Sequence, residues 1–265
     1  MDVRLTEPWR LKATAVARKA LEAQTVDELL PLLFHPEAGD DVVRRYYETE
    51  ERLPLGKDLG EEYFIPPGNS PENVVSFSFT DSSGRPRDFV VVEKPGGMLI
   101  DWPSLVGLGE LLVKSFIEQK PAESVVLRAK ARLGHYYNNH FSDSTKWLSI
   151  RLSDVTDDNV IHGYVDRRLP IAAAMESYFA DPEANRYKPD DPVTVVVKHP
   201  AGNTNADQTQ ILELVSTTWY YPDGLKALIE QLRKQESGTA ADSGGKEKAV
   251  PPDKDAPPAP PAAGK

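Results

Sequence analysis

From residue 125 onward the apolar residues fall at every second position, and the runs occur in an order that restricts the fold sharply: three strands, one helix, then two strands. The spacing predicts strands over 125–137, 146–153, 160–167, 193–199 and 209–220, and a helix over 169–179 opened by Pro170. Alternation also assigns faces. On the first strand Val125, Leu127, Ala129, Ala131 and Leu133 share one side, and Arg128, Lys130 and Arg132 share the other. On the next two, Leu148, Ile150, Leu152, Ile161 and Val165 point inward, which turns Trp147, Ser149, Arg151, His162, Tyr164 and Asp166 outward.

This order is similar to the OB-fold, a five-stranded partly open barrel. With that order, Arg128, Lys130, Arg132, Trp147, Arg151 and Tyr164 converge on one surface, and the corresponding OB-fold face can stack bases and hold phosphates. Three readings of the surface stay open: a scaffold or interdomain face, a protein-binding face, or a single-stranded nucleic-acid face. Charge weighs against the last. The 265-residue chain carries 31 basic and 41 acidic side chains, a net −10. Residues 121–235 hold 13 bases against 15 acids, and residues 1–120 hold 14 against 21. Nucleic-acid affinity grows from an excess of cations that displaces counterions, and neither half has one.

Upstream the period is helical. Leu11, Ala15, Ala20, Leu21, Leu29, Leu32 and Leu33 recur at near-helical spacing, with a break near Gln24 and Thr25–Glu28 resembling a capping box. A short helix over 40–52 carries Val42, Val43, Tyr46 and Tyr47. Strands are then predicted at 63–65, 74–80, 87–93 and 98–102, separated by Pro66-Pro67-Gly68, Ser82-Ser83-Gly84 and Pro95-Gly96-Gly97, and a helix at 105–119. The expected class is therefore α+β. Residues 1–120 form helices on an antiparallel sheet, residues 121–235 an OB-fold-like β-barrel with a C-terminal helix at 224–235, and residues 236–265 a disordered Pro/Ala-rich tail. The tail holds six prolines, four glycines and no aromatic residue, too little apolar surface to offset the entropy of ordering.

The runs Ala20-Leu21-Glu22-Ala23, Glu28-Leu29-Leu30-Pro31-Leu32, His35-Pro36-Glu37, Arg44-Arg45-Tyr46-Tyr47 and Asp101-Trp102-Pro103-Ser104-Leu105-Val106-Gly107 resemble a family of uncharacterised bacterial proteins with this helix, sheet and barrel layout. Those proteins more usually have an acidic residue where Pro103 stands, and often an N-terminal membrane anchor. The resemblance implies no catalytic residue and no substrate class. It does imply work at the cell envelope.

The chain has no cysteine, which excludes a thiol nucleophile, a disulfide framework and a Cys-ligated metal. Nucleophile-elbow, phosphate-loop, dinucleotide-turn, zinc-helix and EF-hand spacings are all missing. His135, His140 and Asp143 lie close in sequence without a known ligand spacing, so no metal and no cofactor is expected. The adjacent acids Asp40-Asp41, Glu61-Glu62, Asp157-Asp158 and Asp190-Asp191 read as exposed turns. Tyr46, Tyr47, Asp101 and Trp102 could line a pocket in the N-terminal unit, or pack its core with Asp101 as a helix cap. The resulting expectation is a non-enzymatic binding or structural protein that mediates protein–protein contacts. A small-molecule-binding or hydrolytic enzyme using the N-terminal pocket is the alternative, and single-stranded nucleic-acid binding a lesser one. No apolar run approaches the roughly 18 residues that span a bilayer, so the chain as written reads as cytoplasmic, with envelope association the alternative.

Overall fold

The computed structural model describes residues 8–35, 39–51, 53–64, 73–180, 191–217, 219–220 and 229–230. The chain divides into two compact units, Met1–Leu225 and Lys226–Lys265, and both sheets lie in the first. The expected helix at 224–235 falls almost wholly outside the described residues, and the expected tail entirely so.

The N-terminal part opens with α1 (Pro8–Glu22), which turns Ala13, Ala17, Ala20 and Leu21 onto the sheet. Small residues one turn apart let a helix sit close against its neighbour. Thr25 caps α2 (Val26–Leu29) by accepting from Glu28 N at 3.3 Å, and the Glu28 carboxylate accepts from Gln24 N at 2.8 Å, close to the predicted capping box. Pro31 then tightens the chain into a 3₁₀ turn before the two-residue strand β1 (Leu33–Phe34), which sequence periodicity does not reveal. Helix α3 spans Asp40–Thr49.

The meander is β2 (Gly56–Phe64), β3 (Val74–Asp81), β4 (Pro86–Lys94) and β5 (Gly97–Asp101), with β1 added parallel to β5, giving the order β1-β5-β4-β3-β2. Its helix-facing side buries Val75, Phe77, Phe79, Phe89, Val91 and Ile100 together with Trp102 and Leu105. The other side carries Val74, Val90 and Val92, and Tyr220 packs there.

The helix predicted at 105–119 is two helices, α4 (Trp102–Val106) and α5 (Val113–Gln119). Gly107 ends the first in the left-handed region at φ 68°, and Leu108 N returns to Pro103 O at 2.8 Å, a C-terminal cap that closes the helix.

The barrel comprises β6 (Val125–Leu133), β7 (Trp147–Ser153), β8 (Val160–Asp166), α6 (Pro170–Ala180), β9 (Asp191–Lys198) and β10 (Gln208–Ser216). It closes as β10-β8-β7-β6-β9, with β10 antiparallel to β9 and parallel to β8. Taken as strands one to five, the circuit is 1-2-3-5-4-1 with the helix between the third and fourth strands, the OB-fold-like barrel expected from the element order. Leu127, Ala129, Ala131, Leu148, Ile150, Leu152, Ile161 and Val165 fill it as alternation assigned, joined by Phe116, Met175 and Ile211. Arg85 in the β3–β4 turn pairs with Asp158 at 2.9 Å, Lys114 with Glu50 at 2.8 Å, and Trp219 Nε1 donates to Ala129 O and Val193 O at 3.3 and 3.0 Å.

Candidate functional site

Cross-strand register decides which outward residues meet. Arg132 stands opposite Arg151, Arg151 opposite His162, and His162 beside Gln208, so these four form a row across β6, β7, β8 and β10. The next row joins Ser149, Tyr164 and Gln210, and the one after it Trp147 and Asp166. Five of the six residues expected on one surface, Lys130, Arg132, Trp147, Arg151 and Tyr164, therefore do share a face, Lys130 through its pairing with Ser153 on β7.

Arg128 leaves it. It lies on the part of β6 that pairs only with β9, opposite Thr194. Arg128 is buried, donates to Leu108 O at 3.1 Å, and sets its charge toward Asp101. Lys130 pairs with Asp157 at 3.2 Å. Asp157, expected in an exposed turn, also accepts from Ser153 Oγ at 2.6 Å and approaches Arg151 at 3.5 Å. Despite the cost of partial burial, Ser153, Lys130 and Arg151 hold its carboxyl below the ordinary range. One carboxylate thus stands between two of the cluster's cations.

The shared face is covered at one end by its own loop, residues 134–146. Gly134 N donates to Ser149 O at 2.9 Å, and a Cβ on Gly134 would lie 2.7 Å from Ser149 Oγ, so the chain can leave β6 this close to β7 only as glycine. A 3₁₀ turn at Asn139–Phe141 then drives Phe141 onto the sheet. Its ring lies flat on Tyr164, centroids 4.0 Å apart and planes 8° apart, and edge-on to Trp147 at 4.9 Å. Trp147 and Tyr164 do point away from the barrel core, as alternation predicts, yet the turn buries both. Tyr164 Oη donates to Tyr136 O at 3.0 Å, and burial pushes its phenol up to about 12.

Beyond the covered end the face opens at the barrel mouth, where loop 134–146 meets loop 199–207. Tyr136 lies over His162 with centroids 4.3 Å apart and stays 41% exposed. Gln208 Nε2 donates to Asn138 Oδ1 and, at 3.3 Å, to Tyr164 Oη, while Asn205 Nδ2 donates to Gln208 Oε1 at 3.3 Å. His162 N donates to Asp207 O at 2.6 Å, and its buried Nδ1 has no partner. Burial lowers the His162 pKa, with Arg151 adding to the shift and Asp207 opposing it. An open aromatic ring, amides held in a network and the guanidiniums of Arg132 and Arg151 suit recognition of a polar surface. Strand alternation placed Tyr164, Arg151 and His162 on this face but missed Tyr136 and Gln208, because loop closure and the β8–β10 pairing are not local. Gln208 at the start of the last strand and the Tyr136-Tyr137-Asn138-Asn139 run were the available hints.

The four residues proposed for an N-terminal pocket divide. Asp101 caps α4, accepting from Ser104 N at 3.1 Å, and burial raises its pKa against the pull of Arg128 and Ser104. Tyr46 stands edge-on to Tyr47 at 5.2 Å and to Trp102 at 5.8 Å. Two residues absent from the sequence reading complete that group: Glu51, one helical turn after Tyr47, and Arg87, which is ion-paired with Glu51 and donates to Leu105 O at 2.8 Å. Arg87 shares the inward phase of Phe89 and Val91 on β4, which marks it as an arginine in a core position.

Among the described residues no group of three His, Asp or Glu side chains is set to hold a metal, and no helix is long and apolar enough to cross a membrane. No protein-family model, curated protein or solved structure matches this chain.

Proposed function

We propose that the protein is a non-enzymatic binding module that recognises a protein partner through the barrel mouth. The row Arg132–Arg151–His162–Gln208, with Tyr136 exposed above it, carries this reading, because it lies on the strand face and loop pair through which OB-folds bind. Aromatic rings and arginines are the side chains that dominate protein interfaces. Asp157 offsets the positive charge at Lys130 and Arg151, and the chain as a whole is acidic, which disfavours a polyanionic nucleic acid. The N-terminal helices and sheet serve as a rigid support, locked to the barrel through Arg85, Lys114 and Arg128. A chain without cysteine suits either side of the inner boundary of a cell, so cytoplasmic and envelope settings both fit this role.

The test is a photoreactive phenylalanine analogue placed at Tyr136 and, as a control, at the exposed Lys12 of α1. The proposal expects one discrete protein adduct from position 136, none from position 12, and loss of the adduct in Arg132→Glu with Arg151→Glu. A nucleic-acid adduct would favour the OB-type alternative. The same adducts from both positions would contradict a specific face.

A further inference from the structure

His162 is the member of the mouth row whose charge changes nearest to neutral pH, and the fold encloses it from several sides. Arg151 stands opposite it on β7, and Arg132 lies one strand further on β6. Gln208 flanks it on β10, and the Asp207 backbone oxygen accepts from His162 N at 2.6 Å. Along β8 the next outward residue is Tyr164. From loop 134–146 the Tyr136 ring covers the imidazole, centroids 4.3 Å apart and planes tilted by 32°. Tyr136 is held there at both ends: Tyr164 Oη donates to its carbonyl at 3.0 Å, and Asn138 Nδ2 donates to its hydroxyl.

His162 Nδ1 is buried and bonded to no partner among the described residues. A neutral imidazole fits such a position by keeping its lone pair at Nδ1 and its hydrogen at Nε2. Protonation would put a charged N–H at Nδ1 without an acceptor, and would add a third cation to a row that already holds two guanidiniums. Burial opposes that charge, Asp207 favours it and Arg151 opposes it. A tyrosine ring does attract a cation beneath its face, but the attraction does not replace the hydration that a sealed, charged N–H gives up. Water reaches Nδ1 once the Tyr136 ring swings aside. We infer that protonation of His162 releases the Tyr136 ring, so that the barrel mouth presents its recognition surface at neutral pH and loses it in mild acid. The inference rests on the reading of the mouth as a recognition face, of which Tyr136 is the exposed ring.

The test uses the full chain without a partner, ¹³C-labelled at histidine, tyrosine and phenylalanine. A His135→Gln, His140→Gln background removes the other two imidazoles of the loop, and His199, stacked on Phe116 at the other end of loop 199–207, gives a separate signal. From pH 7.5 to pH 4.5 the nuclear Overhauser contact between the Tyr136 and His162 rings should fall by at least about half, in step with the titration of His162, while that between Phe141 and Tyr164 persists. A ring that closes on the neutral imidazole opposes its proton by linkage, so Tyr136→Ala should raise the His162 midpoint toward the ordinary value of about 6.5, and Tyr136→Phe should leave it lowered. A ring contact that survives protonation, a midpoint unmoved by Tyr136→Ala, or a His162 that stays neutral until the Phe141–Tyr164 contact is lost would each overturn the inference. Affinity for a protein captured at the mouth should weaken over the same range by at least about threefold more in the parent chain than in His162→Gln, and equal weakening would also overturn it. Failure to capture any protein would count against the protein-binding reading alone, because the ring measurements need no partner.

Discussion

Phe141 lies flat against Tyr164, 4.0 Å between centroids and 8° between planes, and this stack fastens loop 134–146 to the barrel. The loop supplies Tyr136 to the mouth, so the same contact sets the geometry of the proposed recognition face. Phe141→Ala removes a fully buried ring and should lower unfolding stability by about 3–5 kcal/mol. Urea denaturation reads the loss. Hydrogen exchange should rise first in residues 134–146, and an increase confined to the barrel interior would show that the stack does not hold the loop.

Gly134 and Ser149 give a coupled pair. A methyl group on Gly134 meets Ser149 Oγ at 2.7 Å, so Gly134→Ala should destabilise by about 1–3 kcal/mol. Ser149 Oγ is itself buried without a partner, so Ser149→Ala should be close to neutral alone and should recover part of the loss in combination. Strict additivity in a double-mutant cycle would refute the contact.

The charge of Arg128 acts on the buried Asp101 cap of α4. Arg128→Ala removes a buried guanidinium that donates to Leu108 O and attracts the Asp101 carboxyl, and should cost about 1–3 kcal/mol, with a smaller further loss on adding Asp101→Asn. Equal losses in both backgrounds, measured by chemical denaturation, would show that the two charges do not interact.

His162 and His199 both have pKa values lowered by burial. His199 stacks on Phe116 at 4.5 Å and is pushed down further by Lys120, while backbone contacts at Gln208 and Phe116 oppose the shift. A depressed imidazole favours the folded state fully above the unfolded value of about 6.5, and that contribution is lost as pH falls through the folded pKa. Stability should therefore drop from pH 7.5 toward pH 5, and His162→Gln with His199→Gln should flatten the decline. Asp101 acts in the opposite sense. Its raised pKa favours folding below the ordinary carboxyl range, and this is lost as pH rises through the raised value. An unchanged pH slope in the double histidine variant would locate the dependence elsewhere.

The barrel was legible because a half-buried strand writes its faces into alternate residues, and Leu127 to Leu133 does so in its sequence without interruption. The three-strand, helix, two-strand order then left few ways to close. Contacts between distant segments were not legible. Arg128 and Arg132 look alike in sequence, and only the crossing of β6 from β9 to β7 sends the first into the core and leaves the second at the mouth. Phe141 reads as a loop residue until the turn at Asn139 lays it on Tyr164. Arg87 betrayed itself only by sharing a phase with Phe89, and Gly107 by standing where a helix was expected to continue. β1, two residues long, leaves no periodic trace.

Protein binding at the barrel mouth is read out by the dissociation constant of the partner captured at Tyr136. It should be measured for the wild type and for Arg132→Glu with Arg151→Glu, each at low and high salt. Binding should be at least about tenfold weaker in the charge-reversed protein, with a much smaller salt dependence and the fold retained. Equal affinity in the two proteins, or loss of binding only together with loss of the fold, would contradict it.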